Sequence, residues 1–468
     1  MTAPGPPVQA PGAAGSGAPA RWEAGSPMLK ILGNRTYRHL FLAQVIALLG
    51  TGLATVALGL LAHDLAGEDA GVVLGTALAV KMIAYVGVAP VASAFAEQLP
   101  RRRVLVCLDL VRAAVAVSLP FVTEVWQVYV LIFVLQSASA GFTPTFQATI
   151  PDVLPDEAAY TRALSLSRLA YDLESLISPA LAAALLTVMS FHALFAGTVV
   201  GFLASAALVV SVLLPGPRPA GRRGIYDRTT RGLRIYLATP RLRGLLALSM
   251  AVSAAGAMVI VNTVVIVQSG FGLTQQATAL ALAAFGGGSM AAALVLPRLL
   301  DALPDRAAML AGGTVMAGGL LAAAVLLPGY EGLLAIWLLL GFGYSVTQTP
   351  SGRLLRRSSH PEDRPALFAA QFALSHACWL VTYPAAGWLG AAYGMPTAFL
   401  LLSAVAGAAV IVAAMLWPGA DPAVLVHDHP DLPPDHPHVA DAVRIGTTLR
   451  HSHDYVIDSH HPEWPHRA

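Results

Sequence analysis

The chain has 468 residues, of which 56% are hydrophobic and only 12% charged, with a formal net charge of +2. A soluble chain carries about a quarter of its residues as charges, so a soluble or catalytic protein is excluded and no nucleic-acid partner is expected. Both cysteines, Cys107 and Cys378, fall inside apolar runs, which excludes a disulfide framework and a zinc ribbon.

Residues 1–33 begin with a Pro/Gly/Ala-rich stretch lacking an apolar core, which predicts a disordered arm rather than a signal peptide. Apolar runs then recur at about His39–Ala62, Val72–Phe95, Val104–Val122, Val125–Ala148, Leu164–Met189 and Phe191–Leu214. After a polar stretch they resume at Leu245–Val267, Ala277–Leu296, Ala307–Leu327, Leu333–Gln348, Leu367–Trp388 and Thr397–Trp417. Each approaches the roughly 20 residues that span a bilayer as a helix. The division is an arm (1–33), a six-span domain (34–214), a basic linker (215–243), a second six-span domain (244–417) and a tail (418–468).

Loops after odd-numbered runs lack Lys and Arg, whereas those after even-numbered runs carry Arg101–Arg103, Arg162, the linker arginines, Arg298 with Arg306, and Arg353–Arg364. This alternation predicts twelve spans with both ends of the chain in the cytoplasm of a cell membrane. The linker arginines are expected to lie against anionic lipid of the inner leaflet.

The second and third runs are joined by a basic elbow, Glu97-Gln98-Leu99-Pro100-Arg101-Arg102-Arg103. An echo recurs about 205 residues later: Leu303-Pro304 with Asp301 and Arg306, Thr349-Pro350 for Thr143-Pro144, and Pro361-Glu362 for Pro155-Asp156. Such an offset suggests two parallel halves related by an axis along the membrane normal.

Two six-span halves, this elbow and a basic central loop resemble the major facilitator superfamily. On that family's elbow pattern Ser93 takes the glycine place, Glu97 the aspartate place, Gln98 the first arginine place and Arg101–Arg103 the basic cluster. Pro100-Arg101-Arg102-Arg103, Thr143-Pro144 and Pro151-Asp152-Val153-Leu154-Pro155-Asp156-Glu157 are similar to a branch that includes drug and siderophore exporters. The resemblance implies an all-α polytopic fold and a carboxylate–arginine latch, with Arg101 or Arg102 serving Glu97. Glu174-Ser175-Leu176-Ile177-Ser178-Pro179 resembles the fifth-span packing motif of that family's antiporters, with small residues in the glycine places.

Ionisable groups at membrane depth point to function, because each is costly unless paired or wet. Lys81 reads either as a cavity cation that answers a carboxylate or as a lysine snorkelling along a helix edge. Arg168 and Asp172, four apart, share a helix face and suit an intrahelical pair. Glu174 is about 200° round the helix from Asp172, so the two carboxylates face different ways. Asp172 or Glu174, with Lys81 as counter-charge, is the candidate proton carrier. Asp109 and Arg112 are expected to brace the elbow. His376 reads as a polar contact in the bundle. Gly286-Gly287-Gly288 reads as helix packing, and no cofactor motif is present.

The tail holds His427, His429, His436, His438, His451, His453, His460 and His461 among several aspartates. It offers ligands for divalent Ni, Zn, Co or Cu, or it is a solvated, proline-broken extension. Its composition is similar to the histidine-rich termini of nickel-resistance exporters. The expected function is secondary active export of a small molecule by proton exchange, with a divalent metal as the alternative cargo. A transporter-like membrane sensor is the alternative of another class.

Overall fold

Fourteen helices and a small sheet make up the described part of the chain, which in this computed structural model is residues 28–465 except 67–69, 97, 217–223, 327–328, 423, 430–431, 434 and 447. Most of the N-terminal arm, Glu97 and the linker residues Arg218, Arg222 and Arg223 lie outside the described residues. The end of the arm is ordered: Leu29–Gly33 forms a 3-10 turn with Ile31 buried.

The first half comprises α1 (Arg35–Ala66), α2 (Ala70–Ala96), α3 (Arg101–Ser118), α4 (Val125–Val153), α5 (Glu157–Leu186) and α6 (Phe191–Val210). After α7 (Ile225–Ala238), the second half comprises α8 (Pro240–Val264), α9 (Gln275–Ala302), α10 (Asp305–Leu326), α11 (Tyr330–Gln348) with the short α12 (Ser351–Arg357), α13 (Arg364–Tyr393) and α14 (Met395–Leu416). Among the described residues eleven spans are long and apolar enough to cross a membrane. The twelfth, α5, has 30 residues but carries Arg168, Asp172 and Glu174 in its middle. It also starts seven residues before the apolar run suggested, because Asp156 caps it by accepting from the Ala159 N–H at 2.7 Å.

Small residues set the closest helix pairs. A Cβ on Gly201 of α6 would lie 3.1 Å from the Gly50 Cα of α1, and Thr198 Oγ1 donates to the Gly50 carbonyl at 2.8 Å. In the second half a Cβ on Gly341 would lie 1.8 Å from the Phe285 carbonyl oxygen, and one on Gly288 would lie 1.9 Å from that of Leu338. Without side chains at these points the backbones of α9 and α11 approach closely, the usual membrane solution where lipid gives no hydrophobic drive. The halves meet through α2 against α13, α5 against α9 and α4 against α13.

The linker differs from the lipid-facing expectation. Helix α7 lies on α13, and Arg231 forms a two-pronged pair with Asp363 at 2.5 and 2.7 Å. Arg241, at the start of α8, is buried and donates to Ser358 Oγ at 2.7 Å and Asp421 Oδ1 at 3.0 Å. These two arginines are held by a carboxylate of the second half and by one at the start of the tail.

The tail is folded, not a solvated extension. Strands β1 (Val424–His429), β2 (Val443–Ile445) and β3 (Thr448–Asp454) form an antiparallel sheet in the order β1-β3-β2, with His427 opposite His451. Tyr455 and Ile457, with Trp464, pack into an apolar cluster with Tyr236, Leu355, Leu367 and Trp417. That cluster seats the sheet on the arginine-bearing end of the second half.

Candidate transport site and interdomain latch

Midway along α2, Lys81 Nζ lies 5.5 Å from the centroid of the Tyr85 ring. Tyr85 donates to Gln136 Oε1 of α4 at 2.9 Å and meets the second half with its ring, 4.8 Å from Phe372 and edge-on to His376 at 4.7 Å. His376 Nδ1 is 2.7 Å from the Phe372 carbonyl one turn back, which fixes the ring against this interface. Cys378 is buried and in no disulfide.

The two carboxylates of α5 separate as their spacing requires. Asp172 is buried and paired with Arg168, whose Nε is 3.2 Å from Oδ2. Arg168 also donates to Ser289 Oγ of α9 at 3.0 Å and lies 4.6 Å from the Tyr344 ring, so this pair ties one half to the other. Glu174, on another side of α5, is half-buried and within electrostatic reach of Lys81. A Cβ on Gly52 would lie 2.5 Å from Glu174 Oε1, so α1 presents bare backbone to this acid.

A cavity of about 190 Å³ opens beside the Arg168–Asp172 pair, lined by Gln44, Ser167, Arg168, Tyr171, Gln348 and Gln371 among others. Ser167 donates to Gln44 at 3.0 Å, and Tyr236 donates to Gln371. Four glutamine amides and several hydroxyls share this lining with Phe146, Ile150, Leu164, Leu355 and Phe368, a mainly apolar surface with a few polar groups that suits an organic ligand.

Beyond the cavity, at the arginine-bearing end, ion pairs cross between the halves. Asp152, at the end of α4, pairs with Arg364 at the start of α13. Arg353 of α12 bonds Glu157 at the start of α5 at 2.6 Å and Thr161 at 3.2 Å, and Arg356 donates to the Pro155 carbonyl. Two of the crossing charges, Asp152 and Arg353, also have a partner in their own half. Arg101 donates to Asp152 at 2.6 Å, and Asp305 lies 3.3 Å from Arg353, within ion-pair range but out of hydrogen-bond alignment. The two sets occupy corresponding places in the halves with the charges exchanged.

The elbow residues are distributed accordingly. Arg101 is buried against Asp152 at the end of α4, while Glu97, the partner the family pattern implied, lies outside the described residues. Pro100 precedes α3, Arg102 is half-buried and Arg103 is exposed. Ser93 is buried with its hydroxyl unpartnered. Asp109 and Arg112 do not brace the elbow. They pair inside the first half, where Ser205 of α6 donates to Asp109 at 2.8 Å and the guanidinium lies 4.0 Å from Phe142 and 4.5 Å from Phe202. In the second half Arg306 donates to the Trp417 and Ala414 carbonyls at 2.8 and 2.9 Å, closing the end of α14, and Asp301 is exposed. Sequence reading missed Tyr85, Ser289 and Tyr344. It quoted Asp152 and Glu157 only as part of a family-like phrase.

In the tail, His427, His429, His438, His451 and His461 each offer a ring nitrogen, and these nitrogens all lie within 4.8 Å of one another. Burial, reinforced by the neighbouring imidazoles, lowers His427, His429 and His438 to about 4, so they are neutral near pH 7. His453 joins the group through His438 at 3.3 Å, and His436 and His460 stack at its margin.

Comparison with known proteins agrees with this architecture. The family model for the Major Facilitator Superfamily matches residues 40–245 and 245–440. Over 120 residues the chain is 28% identical to the uncharacterized MFS-type transporter YfiS of Bacillus subtilis, covering 26% of this chain and 28% of that one. Over 152 residues it is 26% identical to macrolide efflux protein A of Enterococcus faecalis, covering 30% of this chain and 47% of that one. The chain thus spans less than half the length of the curated relatives it matches. Among solved structures, the human organic anion transporter MFSD10 (TETRAN) superposes with a TM-score of 0.70 at 14% identity, over 81% of this chain and 99% of that one, a likeness of fold. With both halves matched, the chain belongs to the Major Facilitator Superfamily.

Proposed function

We propose that this chain is a secondary active transporter that exports a small organic molecule by alternating access, with Glu174 as the group that exchanges the proton. The observation that carries the reading is the pair of opposite charges inside the bundle, Lys81 of α2 within electrostatic reach of Glu174 of α5, in a molecule whose halves are pinned together at one end. Taking the arginine-bearing end as cytoplasmic, the latched arrangement is closed to the cell. Proton arrival at Glu174 from outside removes its attraction to Lys81. Release of that proton toward the cytoplasm restores the attraction, and the two states differ in the net charge held inside the bundle. The mainly apolar, amide-bearing lining and the likeness to macrolide efflux proteins support an organic cargo. The tail histidines share no residue with that lining, which argues against a divalent ion as cargo.

The test is uptake into inside-out membrane vesicles of a panel of macrolides, organic anions, Ni²⁺ and Zn²⁺, with and without an imposed pH gradient. At least one organic compound is expected to accumulate in a gradient-dependent way, and Glu174→Gln is expected to remove that dependence. Uptake of nothing on the panel, or full gradient stimulation in Glu174→Gln, overturns the reading. The sensor alternative makes the opposite prediction: loss of output on tail deletion with Glu174→Gln silent.

A further inference from the structure

The tail brings imidazoles together in a way that hydrogen bonding among themselves does not satisfy. His427 Nδ1 faces the Leu425 carbonyl at 3.1 Å, and His461 Nδ1 faces Asp458 Oδ1 at 2.9 Å. Carbonyl and carboxylate oxygens only accept, so both Nδ1 atoms carry a ring proton, and in the neutral rings both Nε2 atoms present lone pairs. Those two Nε2 atoms are 3.0 Å apart, and His438 Nε2 is 3.2 Å from that of His461. Bare lone pairs at such distances repel unless a proton or a metal cation lies between them, and a single proton serves one such contact whereas a metal ion serves all three rings together. Ligand nitrogens held at roughly 2.0–2.1 Å from one ion are themselves separated by about 3 Å. The Nε2 atoms of His429 and His451 are also buried and without a hydrogen-bond partner.

We infer that the tail holds a divalent transition-metal ion of the zinc type, bound through Nε2 of His427, His438 and His461 and completed by His429 or His451. The second layer is in place. Asp458 orients His461, and Asp441 lies 3.3 Å from His451 Nδ1, the carboxylate–imidazole arrangement that sets ring angle and tautomer in metal sites. The ligands come from three separate stretches: β1, the turn before β2, and the segment after β3. An ion there staples the sheet to the segment carrying Tyr455 and Ile457, which anchors the tail to the second half. This ion is resident in the tail, independent of the cargo proposed above.

The full chain, purified in detergent, stripped with chelator and reloaded with ZnCl₂, is expected to retain zinc stoichiometrically. Its zinc X-ray absorption should show an imidazole nitrogen shell at about 2.0–2.1 Å. Asp458→Asn, which keeps the side-chain shape but weakens the grip on His461, should lower zinc affinity roughly 10- to 100-fold. His427→Gln/His461→Gln should abolish retention, and His192→Gln, outside the tail, should leave it unchanged. Failure of the wild-type chain to retain zinc, or an absorption spectrum without imidazole, overturns the assignment, and because both are read on the unaltered chain they do not depend on a variant folding. Unchanged zinc affinity in His427→Gln/His461→Gln overturns it equally.

Discussion

Arg112 and Asp109 illustrate how a buried charge is tolerated between apolar helices. The guanidinium is enclosed by Asp109, Phe142 and Phe202, and the carboxylate takes a second bond from Ser205. Removing one partner strands the other charge at a cost of about 3–5 kcal/mol, whereas replacing both with apolar residues of similar size costs much less. Asp109→Leu should therefore lower the thermal unfolding midpoint in detergent more than the double change Asp109→Leu/Arg112→Met does. Equal losses in the two would mean that the pair is not the source of the effect. The pairings Asp109–Arg112 and Arg168–Asp172 were legible as spacings of three and four. Their partners on other helices were not, because Ser205 and Ser289 are 96 and 121 residues from the groups they bond and no local pattern joins them. Tyr85 escaped notice for the same reason: a tyrosine in an apolar run signals a site only when the facing helix is known.

At the scale of elements, hydropathy was enough to find the spans, since a helix must satisfy its own backbone in lipid. It misjudged the start of α5, where Glu157 to Arg162 is polar yet helical and extends past the apolar run toward the latch. The tail sheet was hidden by its own composition. His427 and His429, like His451 and His453, alternate with a period of two, which is both a ligand spacing and the signature of a strand with one face turned to a common interior. Two predictions belong here. Gly341→Val places a branched side chain on the Phe285 carbonyl, so α9 and α11 must part, and the folded yield in detergent should fall sharply while Gly287→Val, in open space, is tolerated. The second concerns docking of the tail through His360, which bonds Asp458 at 3.2 Å. That bond raises His360 above its ordinary value, opposed by partial burial and helped by Glu362 and Asp363. A raised imidazole contributes stability that is complete below about pH 6.5 and lost as pH climbs through the folded value. Limited proteolysis of the tail should accordingly accelerate from mildly acidic to mildly alkaline pH, and His360→Gln should flatten that profile.

For the whole molecule, the latch sets which side of the bundle is shut. Individual ion pairs at a wet surface contribute roughly 0–1 kcal/mol, so no single bond holds the halves. The crossings made by Arg364 and Arg353 act together. The double change Glu157→Gln/Arg364→Gln is expected to shift the equilibrium toward opening at this end by about 1–2 kcal/mol, near tenfold. Spin labels at cysteines introduced for Asp156 and Glu362 should report it as a longer distance population, and an unaltered distribution would remove the latch from the account.

Arg101 and Asp305 give that separation its character. When the halves swing apart, Asp152 keeps Arg101 and Arg353 keeps Asp305, so neither charge is left stranded as its cross-partner departs. One charge of each crossing thereby keeps a counterion in both positions of the rocker, which narrows the energy gap that a ligand or a single proton has to tip. Taking away an understudy has the opposite effect from cutting a crossing. Arg101→Ala should hold the bundle shut at this end, slowing turnover while the spin-label distance contracts to its short population.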